Sequence, residues 1–302
     1  MLLAQRVPAQ RRAGAATLVW LMMILGFALT AGAAGQLLDP YSPQRLLAVC
    51  AGVCAFAFLL TLAATWGLES RTSPAHGPAP APRVPFAVAL RQVWQDDEAR
   101  RFTAFVFVSM LAFSAQDLIL EPFAGTVLGF TPGASTSLSG VQHGGVFVGM
   151  LLAALAGRRR FGSLRAWTVG GCVASALALA GIAVAAIVGP SWPFRANVFL
   201  LGLANGAFSI AAIGSMMRLA GEGPQARAGM RMGLWGAAQA IAFGFGGFAG
   251  AASSDLARRL LGAPGPAYGS VFALEALLFI AAAMLAVRSA PVRPSARLAA
   301  AH

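Results

Sequence analysis

Charge is scarce in this sequence. Of 302 residues only 11% are Asp, Glu, Lys or Arg while 58% are hydrophobic, too little polar surface to clothe a soluble globule. Cysteine is scarcer still, and three in the whole chain exclude a disulfide scaffold. The 35 Gly and 17 Pro are not arranged in a repeat, which removes collagen, and they are spread through apolar runs, which removes disorder. Segments of alternating polarity about ten residues long are missing, and with them an outer-membrane β-barrel. Lysine is absent altogether: all 22 basic residues are Arg, and they fall between apolar runs. The net charge of +12 therefore speaks to membrane topology and not to nucleic acid.

The apolar runs are about 20 residues long, the length a helix needs to cross the hydrocarbon. Eight spans are expected, at 14–38, 44–67, 102–126, 137–157, 166–188, 196–217, 230–251 and 268–288, so the fold class is an all-α polytopic membrane protein. The first run is too long, with the wrong flanks, for a cleaved signal peptide. Counting loop arginines gives 18 on one side and four on the other (Arg45, Arg195, Arg258 and Arg259), which puts both termini in the cytoplasm.

One long connection, 68–101, divides the spans two plus six. Its first half carries Pro74, Pro78, Pro80, Pro82 and Pro85 and favours an extended strand. From Phe86 to Arg101 the apolar residues recur at helical spacing, as expected of a helix lying on the membrane surface. A second surface helix is expected at Asp255 to Leu261, and the tails 1–13 and 289–302 are expected to be poorly ordered. A two-plus-six division fits a twelve-span transporter fold made of two six-helix halves. Residues 1–67 would then be the remnant of the first half, 68–101 the linker, 102–288 the second half and 289–302 a cytoplasmic tail.

The basic turn from Gly157 through Arg158, Arg159 and Arg160 to Gly162 and Arg165 resembles a loop of the major facilitator superfamily, without that loop's usual Asp. Two longer stretches are more specific. Ser114, Gln116, Asp117, Glu121, Pro122 and Gly125, followed by Thr131 to Thr136, Leu138 to His143, and Gly202 to Ile210, resemble the PucC-type family. The resemblance runs from about residue 4 to 290. It implies a divergent major facilitator branch of phototrophic bacteria, acting in light-harvesting complex assembly and in handling bacteriochlorophyll. Such members have twelve spans, and Gly35 to Pro43 resembles their turn between the fifth and sixth, so this chain would lack the first four. The implied place is the bacterial inner, intracytoplasmic photosynthetic membrane. The implied partners are light-harvesting polypeptides, bacteriochlorophyll or a late precursor, lipid, and a second copy or another subunit.

Read for themselves, the polar residues inside the spans are the candidate site, because ionisable groups in a bilayer are costly and usually functional. At 1.5 Å per residue Asp117 lies about 4 to 5 Å outward of its span centre, Glu121 about 10 Å, His143 about 6 Å and Glu275 about 4 to 5 Å. Asn205 and Gln239 lie near the midplane. Asp117 and Glu121, four apart, share a helix face, and the spans carry Arg only at their ends, none at the depth of these acids. Hydrogen bonds from Gln116, Gln142 or Ser114, a retained proton, or a bound guest would relieve them. Pro122 is expected to break the helix at this level and free a carbonyl. His143, the one imidazole within a span, offers a lone pair to a metal, and the Mg of a bacteriochlorophyll has an open axial position.

Each residue also has a plainer reading. His143 and the Asp117–Glu121 pair would simply hydrogen-bond neighbouring groups, Glu275 would snorkel, and Asn205 and Gln239 would link helices. Gly140, Gly144, Gly145 and Gly149 would admit another backbone or a flat macrocycle. Phe123, Phe147 and Phe208 would pack in the core or stack on pigment. Cys50 and Cys54 read as small apolar residues, since two thiols alone do not make a zinc site.

Three function classes follow. A pigment-binding assembly factor is the main one, with His143 and Glu121 as candidate contacts to the Mg or macrocycle, and Asp117, Gln142 and Gln116 as polar support. A proton-coupled transporter of a neutral or lipidic solute is the alternative. Catalysis is rejected, for no Ser-His-Asp order, phosphate loop or metal motif occurs.

Overall fold

A computed structural model of the chain describes residues 12–66, 91, 94–159, 161–221 and 225–288. Eight long helices account for most of them: α1 (Arg12–Leu37), α2 (Pro43–Thr65), α3 (Asp97–Leu128), α4 (Pro132–Arg158), α5 (Leu164–Val188), α6 (Phe194–Gly221), α7 (Gln225–Leu261) and α8 (Pro264–Arg288). A single 3₁₀ turn, Gly189–Ser191, separates α5 from α6, and no strand occurs among the described residues. This is a polytopic helical membrane protein. Seven of the helices, all but α7, are long and apolar enough to cross a membrane. The span expected at 230–251 is met by a helix, but one diluted with Gly and Ala and closed by Arg258 and Arg259.

Local chemistry explains where the helices start. Ser42, Thr131 and Ser163 each accept a hydrogen bond from the backbone N–H three residues on, at 3.1 Å. Pro43 and Pro132 sit in first turns, where no N–H is needed. Helix α3 ends at Gly129, whose φ of 72° is easy only for glycine.

Three expectations about helix limits are corrected. Asp255 to Leu261 is no separate surface helix but the last turns of α7, because the first residue with helix-ending geometry is Gly262, at φ 68°. Pro122 does not break α3. The ring removes one donor, yet Leu120, Phe123 and Ala124 are locked in the core on either side of it and the helix runs through. Asp97 to Arg101, expected as part of the surface helix, form the first turns of α3. The rest of that helix, the proline-rich half of the linker and both tails lie largely outside the described residues.

The two ends of the bundle are fixed by polar clasps. At the arginine-rich end Arg101 and Arg165 donate to the last carbonyls of α8, those of Arg288 (3.2 Å) and Val287 (2.5 Å), where cations also suit the helix dipole. Arg231 of α7 donates to the Leu219 carbonyl of α6 at 2.6 Å and pairs with Asp96 at 2.5 Å. Asp96 in turn caps α3 by accepting from Glu98 and Ala99 N–H. Replacing it with Ala is expected to cost about 2 kcal/mol in thermal unfolding of the detergent-purified protein. Asp96→Asn, which keeps the cap and loses the ion pair, should recover roughly half of that.

The core lies between α3, α5, α6 and α8, with Trp235 of α7 at its side. Phe123 is the hub, its ring 5.2 Å from Phe272, 5.5 Å from Phe194 and 5.7 Å from Tyr268, all edge to face. Helix α4 crosses α6 where Gly145 and Gly149 face Gly202 and Gly206, so that a Cβ on any of the four would meet a backbone atom of the opposite helix. Helix α1 docks on the other side of α4, Gly32 against Gly140 and Gly35 against Gly133 and Ser137. Helix α2 buries no residue.

Candidate functional site

Helices α3 and α4 pack mainly on other partners and meet over a short stretch. Polar side chains fill the seam. On α3, Asp117 and Glu121 share a face; on α4, Ser139, Gln142 and His143, at i, i+3 and i+4, share the face opposite. The Gln142 amide donates to the Asp117 carboxylate at 3.3 Å, and the Ser139 hydroxyl donates to Glu121. His143 Nδ1 lies 2.8 Å from the Ser139 carbonyl oxygen, one turn back on its own helix. A carbonyl only accepts, so this contact places the proton of the neutral ring on Nδ1 and leaves the lone pair on Nε2. Phe27 of α1 stands edge-on to the imidazole, centroids 5.5 Å apart.

The seam is graded in exposure. Gln142 is buried, Ser139, Glu121 and His143 are half-buried, and Asp117 is exposed. The arrangement thus opens to the outside of the bundle at Asp117, with the His143 ring on the same face of α4 as Ser139 and Gln142, which bond the two carboxylates. Gly144, next to His143, has open space where a side chain would stand. Of the four glycines around the imidazole, then, three serve helix packing and one leaves room.

Other expected members are elsewhere. Gln116 does not support the acids: it is fully buried on the bundle side of α3, and neither its amide oxygen nor its nitrogen has a partner. Ser114 donates to the Phe243 carbonyl of α7 at 2.7 Å. Asn205 accepts from Ser175 of α5 at 2.8 Å, an interhelical bond, and Gln239 is half-buried on α7. Phe123 and Phe208 are core residues with no exposed edge for a pigment, and Phe147 packs beside Met150.

Glu275 does not snorkel. It is 2% exposed, with both carboxylate oxygens unpaired. Its place on α8 explains this: Phe272 packs on Phe123 and Phe279 on Phe208, so the residue between them points at the bundle axis. Glu275→Leu is expected to raise the thermal midpoint of the purified protein, since it removes two unsatisfied acceptors worth about 1–3 kcal/mol each.

Ser139 and Phe27 are the members that sequence reading missed. Ser139 stands four before His143, a spacing that signals contact on a helix; nothing in the sequence points to Phe27.

A family model described as PUCC protein matches residues 1–291. The chain is 51% identical over 299 residues to the bacteriochlorophyll synthase 44.5 kDa chain of Rhodobacter capsulatus, a match covering 98% of this chain and 69% of that one. It is 31% identical over 295 residues to an uncharacterized protein of the puhA-bchM intergenic region of Rhodobacter capsulatus, covering 94% and 61%. It is also 31% identical over 272 residues to Protein PucC of Cereibacter sphaeroides, covering 86% and 56%. It therefore spans from 56% to 69% of the length of these relatives. The family match takes in the whole α3–α4 seam and all eight long helices, and the chain belongs to the PucC family.

Proposed function

We propose that the chain serves the assembly of photosynthetic light-harvesting complexes by holding or passing bacteriochlorophyll within the membrane. Family membership supports the biological setting, and one relative carries bacteriochlorophyll in its name. The observation that carries the pigment reading is the imidazole of His143, its Nδ1 tied to Ser139. The donor set suits a tetrapyrrole Mg: a nitrogen ligand, carboxylates on the facing helix, and open space at Gly144 that would admit a flat ring. Bound pigment would supply the metal. Ser139 orients the ring, and Glu121 and Asp117 hold Ser139 and Gln142 in place.

In this reading the chain is not a catalyst, although the relative's name contains the word synthase. The groups of the seam act in it as ligands and as supports for ligands. Residues 102–288 would be the second half of a twelve-span major-facilitator bundle in the bacterial inner, intracytoplasmic photosynthetic membrane. Both termini would be cytoplasmic, and light-harvesting polypeptides would be the partners.

The test is purification of the chain in mild detergent from a pigment-producing host, followed by a near-infrared spectrum. A bacteriochlorophyll band at a fixed ratio to protein is expected. Pigment-free protein from pigmented membranes, together with normal antenna levels in a strain deleted for the gene, would sink the proposal.

A further inference from the structure

The contact between α1 and α4 changes character along its length. In the half away from the arginine-rich end, glycines let the backbones touch. Near the middle, Ile24 of α1 closes on Val146 and Met150 of α4 and Ala207 of α6. Beyond that point the glycine contacts stop. A cleft of about 860 Å³ opens there between α1, α4 and α6, lined by Leu18 and Leu21 of α1 and Leu151 and Leu155 of α4, and floored by Trp167 of α5. That volume is within the range of sites that enclose a small ligand.

The lining is apolar apart from its rim, and it contains no Asp or Glu. Arg158 stands at the mouth, exposed, with no hydrogen bond or ion pair to another described residue, and exposed Arg159 follows it. The Trp167 indole donates to the Phe161 carbonyl at 2.9 Å, which pins its ring against the cleft at the depth of the basic turn. The site thus has an apolar slot leading inward and the exposed guanidinium of Arg158 at its entrance.

We propose that this cleft is a binding site for an anionic glycerophospholipid, one acyl chain between α1, α4 and α6 and the phosphate on Arg158. In a bilayer an acyl chain is already in hydrocarbon, so the slot by itself selects nothing. Selection comes from the headgroup, because a guanidinium holds phosphate oxygens through paired N–H donors, and a zwitterionic head brings its own cation to the same place. The site is independent of the seam at His143, about 12 Å or more away along α4 at the helical rise.

The experiment uses the whole purified chain in mixed micelles with dibromostearoyl phosphatidylglycerol or dibromostearoyl phosphatidylcholine, whose bromines quench tryptophan on contact. The share due to Trp167 is the difference from a Trp167→Phe protein. Half-maximal Trp167 quenching is expected at an about fivefold lower mole fraction of the phosphatidylglycerol, the preference one guanidinium near the surface confers. Arg158→Gln should remove that preference without moving the thermal midpoint, and Arg259→Gln, the same charge change at the other end, should leave it intact. Equal quenching by the two lipids, no Trp167 component, or an Arg158→Gln protein that keeps the preference would each overturn the assignment.

Discussion

His143→Leu is expected to strip the pigment from the purified protein while leaving the protein folded. Changes to groups that merely support a metal ligand cost about 10–100-fold in affinity, and loss of the ligand itself should cost at least as much. The near-infrared absorbance per protein should then fall by about tenfold or more. Folding should hardly suffer, since among the described residues the imidazole hydrogen-bonds only to a carbonyl of its own helix and touches one ring edge of α1. His143→Gly gives a sharper version, for added imidazole can occupy the vacated place and restore the band. A His143→Leu protein with undiminished pigment would show that the metal is held elsewhere, and Glu121, which Ser139 engages, would be the next residue to replace.

The second large effect is mechanical. A Cβ on Gly206 would run into the Val146 carbonyl oxygen, and one on Gly202, Gly145 or Gly149 into the carbonyls of Gln142, Phe199 or Leu203. These are backbone atoms, which cannot rotate out of the way as a side chain does, so the helices must separate. Gly206→Leu is expected to exceed the usual overpacking cost of about 1–3 kcal/mol and to prevent recovery of folded protein from the membrane, with Gly206→Ala as the milder case. Gly144→Ala is the control, since open space surrounds that position. Thermal unfolding in detergent separates the two, and equal midpoints for Gly206→Ala and Gly144→Ala would refute the close crossing. If a macrocycle slides over Gly144, Gly144→Phe should lose pigment at unchanged stability, an outcome that no packing role predicts.

Much of the fold is legible in the sequence because lipid permits few solutions. A run of about 20 apolar residues has to be helical to satisfy its own backbone, and the Arg, Pro and capping Ser or Thr between runs mark the turns. All eight expected spans are met by helices. The errors arise where composition suggests a boundary that the chain does not make. Asp255 to Leu261 has the composition of a surface helix, yet nothing there ends α7. Pro122 has the chemistry of a break, yet the packed rings around it hold α3 continuous.

The candidate site divides in the same way. That Asp117 and Glu121 lie on one face follows from a spacing of four, and so does the pairing of Ser139 with His143. Which helix each face meets does not follow from spacing. Gln116 is the neighbour of Asp117 in sequence, but about 100° around the helix it turns inward and loses contact with the seam. Glu275 lies less than two turns from the start of a predicted span and still points to the axis, because Phe272 and Phe279 on the same stripe dock on α3 and α6.

Sequence by itself therefore determined that this chain is a helical membrane protein, where its helices run, which acids and imidazole lie at lipid depth, and which family it resembles. Only the tertiary structure decided that Gln142, Ser139 and His143 answer Asp117 and Glu121 across one seam, that Gln116 and Glu275 are sealed in the core, and that α1 parts from α4 to leave a cleft. The reason is geometric. Helical periodicity fixes which residues share a face, whereas the helix each face meets is set by how closely backbones approach, and that depends on glycines and side chains far apart in the chain.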